Sequence, residues 1–583
     1  MKVDEKYEDS QLYKIRHTTS HILAMAAHEF DPEVKFAIGP PIENGFYYDL
    51  EFSKPITEVD LAQLEISMSK IIAADFPISH QLLNHHDGLT QIKSKNQPYK
   101  VELAEGIEDE KLGFYTIDWF RDLCKGPHVK STGEVKAFKL LSVAGAYWRG
   151  DEHKAMLTRI YGTAFGSKKE LDAHFFQLEE AKRRDHKKLG PQLDLFVFSE
   201  LVGAGLPLWT PKGNTIRLIL DDFVWSLRAK KGYQRVEIPH IAKSDLYKKS
   251  GHWDKFKDDL MTIETREGHT FVVKPMNCPH HTQIFARKKW SYREMPQRYS
   301  NTTMVYRDEQ TGELSGLSRV RSITQDDAHV FCRADQVKDE LLAVWDIVSE
   351  LYARVGFSDL SVRLSFRDPK EPEKYLGDGR IWQKAESELE QLAKQKQVKY
   401  VVAPGEAAFY GPKIDFMARD SLGRQWQLAT IQLDMNLPNR FDLTFINDQG
   451  KEEQVIMIHA AIMGSIERFL SVLIEHYAGE FPFWLAPVQI AVLPISEKVF
   501  DYAQKVTEQL NSAGFRVELD ESNETLGKKI RSAETQKIPY ILIIGEKELA
   551  NRTVTVRVRH TPEQETLAVG DLAKKLVKEL LPS

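Results

Sequence analysis

The chain has 583 residues and a mass of 67.0 kDa, which at roughly 100–200 residues per domain means several domains, each able to bury its own core. Hydrophobic residues make up 42% and charged residues 28%, a globular composition that excludes disorder over most of the length. With 79 Lys and Arg against 85 Asp and Glu, the net charge is −6, so a nucleic-acid partner would have to be held by local basic patches. Three scattered cysteines, Cys124, Cys278 and Cys332, exclude a disulfide framework and point to a reducing, cytoplasmic compartment. The polar N-terminus carries no apolar signal segment. The longest apolar runs, 488–495 and 540–544, have the length of strands and fall far short of a membrane span.

No internal repeat or low-complexity tract is present. The first 165 residues mix short strands and helices. Within them, RHTTSHIL places His17 and His21 four apart in a helical pattern, on one face. DLCKGPH gives Cys124 and His128 the same spacing, in what Gly126-Pro127 make a loop. Two such pairs suit a zinc tetrad, or a hydrolytic site with histidine as acid or base beside a cysteine. The bland alternative, hydrogen-bonded histidines partly buried on a helix face, has equal weight from spacing alone.

From 167 to 189 the chain reads as one charged helix joining two domains. Ser167 and Glu170 form a capping-box pattern, Leu171, Phe175 and Leu178 an apolar stripe, and Gly190-Pro191 a stop. A second unit, 191–484, opens with a helix over 214–230 and a strand over 234–241 containing Pro239. It continues through strand–turn–strand patterns with Gly312, Gly316, Gly411 and Gly423 in the turns, and closes with a helix over 463–476. Pro482 and Pro487 mark the next junction. After it come strand IAVLPI, a helix over 498–514, strand RVELD, a helix over 526–536, strands YILIIG and VTVRV, and a final amphipathic helix, a small α/β domain. Three domains are expected.

VYRDEQTGELSGLSRVRSITQDDAH has two β-rich segments around a polar loop, with Arg307 at its entry and Arg319 and Arg321 at its exit. Arginines held on paired strands suit bidentate capture of phosphate; an ordinary hairpin with solvated arginines is the competing reading. MGSIERF puts Arg468 one turn into a helix. Cys278, His329 and His459 are weak signals taken singly, since a lone cysteine is usually a small core hydrophobe.

Taken together these stretches resemble class II aminoacyl-tRNA synthetases and, more narrowly, the bacterial-type threonyl-tRNA synthetase family, over nearly the whole chain. RHTTSHIL, PYKVE, DLCKGPH and AGAYWRGD look like its editing domain. SGHWDKFKDDL, KPMNCPHH, VYRDE, RVRSITQDDAHVFC, AFYGPKIDF, WQLATIQLD and HAAIMGSIERF look like its catalytic domain, and PYILIIGEKE and VTVRVR like its anticodon-binding domain. The resemblance implies an α+β multidomain chain: an editing domain over 1–166, a linker helix over 167–189, a class II antiparallel sheet flanked by helices over 190–484, and an anticodon-binding α/β domain over 485–583.

It further implies a threonine–tRNA ligase that forms threonyl-adenylate from L-threonine and ATP, charges tRNA(Thr), and hydrolyses mischarged Ser-tRNA(Thr) at a separate site. Cys278, His329 and His459 would bind one zinc ion per subunit, leaving a position open for the substrate's amino and hydroxyl groups. Met276, Gln325, Asp327, Tyr410, Gln427 and Thr430 are similar to the residues around threonine. Arg307 matches the α-phosphate ligand, Glu309 the adenine reader, and Arg319 and Arg468 the outer-phosphate and base-stacking positions, with magnesium accompanying the pyrophosphate. His252 matches a histidine near the tRNA terminal ribose. His17, His21, Lys100, Asp122, Cys124 and His128 match a metal-free editing site, which overrides the zinc-tetrad reading. Asn523, Arg531, Glu548 and Arg557 align with anticodon readers. The helix after Pro211 and the strand containing Pro239 resemble a homodimer interface.

Three departures from the family pattern stand out. The chain starts almost directly at the editing-like segment, without the small ubiquitin-like domain usual before it. Ala460 replaces an arginine after the last zinc ligand, and His280 replaces a glycine two positions after Cys278. Two other readings compete: a non-charging RNA-binding or regulatory paralogue, and a free-standing deacylase or metallohydrolase using the N-terminal tetrad alone.

Overall fold

The computed structural model describes residues 7–357 and 360–580, and the chain divides into two compact units, Met1–Glu179 and Glu180–Ser583. In the first, Ser10 accepts a hydrogen bond from the Tyr13 N–H at 3.1 Å and so starts the helix Gln11–Phe30. This helix is buried from Ile15 to Ala27, against helix Leu61–Ala73 and a sheet ordered Lys35–Phe36, Gly45–Glu51, Met156–Phe165, Ala137–Tyr147. A separate antiparallel sheet of Ile78–Asn84, Lys111–Ile117 and Phe120–Leu123 completes the unit. Strand alternation turns Phe120 and Asp122 inward together.

The expected helix over 167–189 is two helices, Lys168–Arg184 and His186–Gln192. Ser167 Oγ does accept from the Glu170 N–H at 3.2 Å. Asp185 breaks the run by leaving helical geometry (φ −49°, ψ 120°) and capping the second helix at the Lys187 N–H. Gly190 and Pro191 lie inside that second helix rather than ending the first. Of the proposed stripe only Leu171 is buried, while Leu178 is exposed.

The second unit is built on an eight-stranded sheet in the order Gln234–Arg235, Gln297–Tyr306, Ser322–Cys332, Ile456–Ser465, Gln425–Asp434, Lys413–Arg419, Leu360–Phe366, Tyr400–Pro404. It is antiparallel except for the parallel pair at each edge. Helices Pro211–Lys230, Val337–Arg354, Gly379–Gln395 and Ile466–Tyr477 contribute to its core, where Leu220, Val348, Leu389 and Phe469 join Ile414 and Ile431 of the strands. The first of these starts three residues earlier than its periodicity suggests, because Thr210 caps it and Pro211 fits the first turn. Within this core the Arg228 guanidinium pairs with Asp326, both fully enclosed, and so fastens that helix to the central strand Ser322–Cys332.

The strand expected over 234–241 is only two residues long, and Ile241–Lys243 joins a different three-stranded sheet. Pro239 has no N–H to extend the first ladder. The helix expected over 463–476 begins at Ile466, with Met463 to Ser465 still in the strand and Ser465 Oγ capping the Arg468 N–H at 3.2 Å. The final part is a five-stranded sheet ordered Val517–Leu519, Ile490–Pro494, Tyr540–Ile544, Thr553–Val558, Gln564–Ala568, parallel across the first three strands and antiparallel thereafter. The expected elements are present; the strand Gln564–Ala568 and the short helix Glu546–Asn551 add to them. Among the described residues no helix is long and apolar enough to cross a membrane.

Candidate active sites

A cavity of about 680 Å³ opens on the large sheet. The antiparallel register sets its deepest end: His329 lies opposite His459, and His459 opposite Gln432. Cys278 reaches the same point from the start of helix Cys278–Phe285. The Nε2 of His329 and the Nδ1 of His459 are 3.0 Å apart, and with Cys278 Sγ the three donor atoms lie within 4.8 Å of one another, all buried. The far side of each ring is engaged: His459 Nε2 lies 2.9 Å from Asp434 Oδ2, and His329 Nδ1 lies 2.8 Å from His281 Nδ1. Outer partners of this kind fix ring orientation and tautomer, so the two facing nitrogens are free for a metal. One thiol and two so-oriented imidazoles fit a four-coordinate zinc with one position open. Burial, reinforced by Asp327 and Asp434, pushes the Cys278 thiol well up, so in the absence of a cation it stays protonated.

Met276, Gln325, Asp327, Tyr410, Gln427 and Thr430 line the same cavity. Tyr410 donates to Gln432 Oε1 at 2.9 Å, and Gln427 Nε2 and the Thr430 hydroxyl both donate to Asp415 Oδ1, at 2.8 and 3.0 Å. Gln325 Oε1 is buried with no partner among the described residues, a polar atom aimed at whatever fills the cavity. Burial raises the Asp327 carboxyl to about 6, against the opposing pull of His459 and the Asn277 amide.

Arg307, Glu309, Arg319 and Arg468 line the cavity as well. Tyr306 pairs with Ser322 at the end of the hairpin, and Arg307 follows directly, its N–H bonded to the Arg321 carbonyl. Among the described residues the guanidinium groups of Arg307 and Arg468 have no hydrogen-bond or ion-pair partner, whereas Arg319 binds Glu309 at 2.8 Å and Glu313 at 3.0 Å. Two unneutralised guanidinium groups on a rigid frame make this part of the cavity a receptor for a polyanion.

His252 is fully buried and is not among the cavity-lining residues. Its Nδ1 is 2.7 Å from Ser250 Oγ, its Nε2 has no partner among the described residues, and its ring lies behind Phe256 and Tyr410, which do line the cavity. Burial lowers its pKa to about 3, so the ring is neutral. His280 lies outside the three-donor group, with both ring nitrogens unpartnered among the described residues, and Ala460 offers its carbonyl to Arg228.

In the first unit, His17, His21, Cys124 and His128 come together with ligand atoms within 4.8 Å. Cys124 Sγ is 3.2 Å from His17 Nε2 and 3.3 Å from His128 Nε2, and His17 and His128 stack at 4.1 Å. Lys100 and Asp122 form a buried pair at 2.7 Å, with the Tyr48 hydroxyl donating to Asp122 at 2.8 Å and His21 Nε2 at 3.8 Å from it. Burial lowers His17 to about 4, lowers His21 and His128 well below their usual value, and pushes the Cys124 thiol up to about 12. At neutral pH the cluster therefore holds three neutral imidazoles and a thiol. Neutral imidazole can accept a proton from water, and a thiol at this pKa is a poor nucleophile.

In the C-terminal part Asn523 is exposed in the loop before helix Leu526–Thr535 and Arg531 is exposed on that helix; Glu548, on helix Glu546–Asn551, accepts from the Gly545 N–H and the Thr555 hydroxyl at 2.9 Å each, and Arg557, on strand Thr553–Val558, pairs with Glu534 at 3.0 Å. Sequence reasoning missed Asp415, Lys413, Gln432, Asp434, His281 and Tyr48. The first four fall at alternate positions of KIDF and IQLD, a period-two pattern of polar residues in otherwise apolar strands that could have found them.

Three segments match family profiles: residues 261–477 match the tRNA synthetase class II core domain (G, H, P, S and T), 489–579 an anticodon binding domain, and 112–161 the threonyl and alanyl tRNA synthetase second additional domain. Fold, cavity and profiles together define a class II aminoacyl-tRNA synthetase. The threonine–tRNA ligase of Gloeobacter violaceus is 48% identical over 585 residues, 98% of this chain and 93% of that relative. That of Synechococcus elongatus is 46% identical over 99% of this chain and 97% of its own. A crystal structure of the RNA binding domain of threonyl-tRNA synthetase from Cryptosporidium parvum Iowa II superposes with a TM-score of 0.66 at 38% identity, covering 68% of this chain and 99% of that one. The chain belongs to the threonine–tRNA ligase family.

Proposed function

We propose that the large cavity activates threonine with Cys278, His329 and His459 as zinc ligands, and that the His17–Cys124 cluster removes serine from mischarged tRNA. Threonine–tRNA ligation consumes ATP with Mg²⁺, threonine and tRNA. The observation that carries the reading is the meeting, in one cavity, of the three-donor group with the unpaired Arg307 and Arg468.

When bound, zinc supplies a Lewis-acid position that accepts an amine and a hydroxyl. Valine matches threonine in shape but lacks the hydroxyl, and a site built to bind that group rejects it strongly. Asp327 accepts a hydrogen bond from the amino group of the amino acid, and Gln325 offers its carbonyl oxygen, which is unpartnered among the described residues. The carboxylate of threonine attacks the α-phosphorus in line, the bond to the bridging oxygen breaks, and pyrophosphate leaves. Arg307 stabilises the charge that grows on the α-phosphoryl oxygens. Arg319 and Arg468 hold the outer phosphates and the base, which requires Arg319 to leave Glu309, freeing that carboxylate to read adenine. A ribose hydroxyl of the tRNA terminus then attacks the adenylate carbonyl and AMP departs. His252 supports this step from behind Tyr410.

Serine keeps the hydroxyl and lacks one methyl, a difference worth about 1–3 kcal/mol, so a second site must correct it. His17 accepts the proton of the water that attacks the ester carbonyl, the bond to the ribose oxygen breaks, serine is released and the proton passes to the departing ribose oxygen, while the Lys100–Asp122 pair orients the seryl group. We read 1–166 as the editing domain, 167–189 as the linker, 190–484 as the catalytic domain and 485–583 as the anticodon-binding domain, with Asn523, Arg531, Glu548 and Arg557 as base readers, in a cytoplasmic homodimer.

Amino-acid-dependent ATP–pyrophosphate exchange on metal-analysed protein tests the reading. Exchange with threonine, some with serine and almost none with valine, at one zinc per chain, is expected. No exchange despite bound zinc would overturn it.

A further inference from the structure

A second cavity, of about 290 Å³, lies in the first unit, near the lower end of ligand-pocket sizes. His17, His21, Cys124 and His128 are not among its lining residues; the Lys100–Asp122 pair forms part of its wall, and Phe120, another wall residue, lies edge-on to His21 at 5.9 Å. Its floor is aromatic: Phe36, Phe114 and Phe120 are buried there, and Trp119 stands half out of the protein at its edge. Flat apolar surface of this kind stacks a planar ring.

The polar groups around that floor point to an anion. The Lys95 ammonium has no hydrogen-bond or ion-pair partner among the described residues, and Lys95 lines the cavity. The Asp122 carboxylate on the same wall is already bound by Lys100 and Tyr48. Arg121 lines the cavity with Lys95, stacks on Phe114 at 5.1 Å, spends one nitrogen on Gln81 and leaves its buried Nε unpartnered among the described residues. Two cations on one cavity wall suit a phosphate. His28, whose ring lies 5.0 Å from that of Trp119, also keeps a buried Nδ1 with no partner among the described residues, and Gln91 lines the same cavity. These two can hydrogen-bond the edge of a heterocycle.

We propose that this cavity binds a nucleoside monophosphate unit, with the base on Phe114, Phe120 and Trp119, its edge on His28 and Gln91, and the phosphate on Lys95 and Arg121. The site is distinct from the hydrolytic cluster and from the nucleotide site on the large sheet.

Calorimetric titration of the full chain with AMP tests it, with the large cavity first filled by a sulfamoyl analogue of threonyl-adenylate. One remaining AMP site per chain is expected, weakened at least tenfold in Lys95→Ala/Arg121→Ala and in Trp119→Ala, and retained in His17→Ala/Cys124→Ala. Adenosine without its phosphate should bind at least tenfold more weakly than AMP. A CCA trinucleotide binding more tightly than AMP would identify the source as an RNA end, and the reverse a free nucleotide. Absence of a remaining site, or a site untouched by the Lys95/Arg121 and Trp119 variants, would overturn the assignment. Loss of binding in the His17/Cys124 variant would move the nucleotide into the hydrolytic cluster and overturn it as well.

Discussion

His329 and His459 face each other across adjacent antiparallel strands, Nε2 of one 3.0 Å from Nδ1 of the other, while Asp434 and His281 hold the opposite side of each ring. Orientation of both imidazoles therefore comes from the protein and precedes any metal. Replacing Cys278 by Ala removes a donor outright, and threonine-dependent exchange should disappear together with bound zinc. Asp434→Asn leaves the three donors in place and should weaken zinc about 10–100-fold, measured by competition with a chelator. Undiminished zinc affinity in both variants would dissociate these residues from the metal.

Among the described residues the Arg468 guanidinium has no hydrogen-bond or ion-pair partner to lose, so its removal should cost the fold little and fall on the proposed nucleotide site. Arg468→Ala should lower threonine-dependent ATP–pyrophosphate exchange by about 10²–10³-fold, in line with loss of a preorganised charge, with an unchanged melting temperature. An unaltered exchange rate would remove it from the phosphate site.

His186 lies outside the cavity yet bears on it. Its Nδ1 is 2.6 Å from Glu475, which leaves Nε2 to accept the Leu317 N–H at 3.1 Å, in the hairpin that carries Glu309 and Arg319. His186→Ala would leave that buried N–H without an acceptor, a cost of about 1–3 kcal/mol. The KM for ATP should rise several-fold while the KM for threonine stays unchanged. Equal changes in both would mean a general loss of structure instead.

The hydrolytic cluster should act separately from activation. In His17→Ala/Cys124→Ala, Ser-tRNA should accumulate while threonine charging continues. Loss of charging without Ser-tRNA would take these residues out of the hydrolytic role.

Burial holds His17 near 4, below the ordinary imidazole value, so its base form persists as pH falls through 6 and is lost only close to 4. Hydrolysis of Ser-tRNA should accordingly stay level between about pH 8 and 5, whereas an ordinary histidine base would lose activity near its usual pKa of about 6.5. A profile that halves near 6.5 would contradict a desolvated His17.

Much of the active-site chemistry was legible because its residues sit in short, distinctive stretches. Arg307 and Arg319 stand out at the two ends of the hairpin, whereas Cys278, His329 and His459 are weak signals singly and gain weight only from the family resemblance of the stretches around them; the fold brings all five to one cavity. What was not legible depends on which strands are neighbours. His459 meets Asp434 and Gln432 only because Ile456–Ser465 lies between Ser322–Cys332 and Gln425–Asp434, an order unrelated to chain order. The break at Asp185 escaped because the residues on both sides favour a helix, and a single capping carboxylate overrides that preference. His252 was legible as a motif residue, but not its burial behind Phe256 and Tyr410, which depends on a segment about 150 residues further along.

If the cavity takes ATP as proposed, the bond between Arg319 and Glu309 is an internal stand-in for the nucleotide. The carboxylate then occupies the cation that a phosphate would claim, and gives the loop a defined shape instead of a set of splayed side chains. Nucleotide entry is then an exchange of partners, in which one displaced group becomes the reader of the base. A fragment with phosphates but no adenine would evict Glu309 without giving it anything to recognise, and a bare nucleoside would find Glu309 still held. Only a molecule carrying both ends completes the trade.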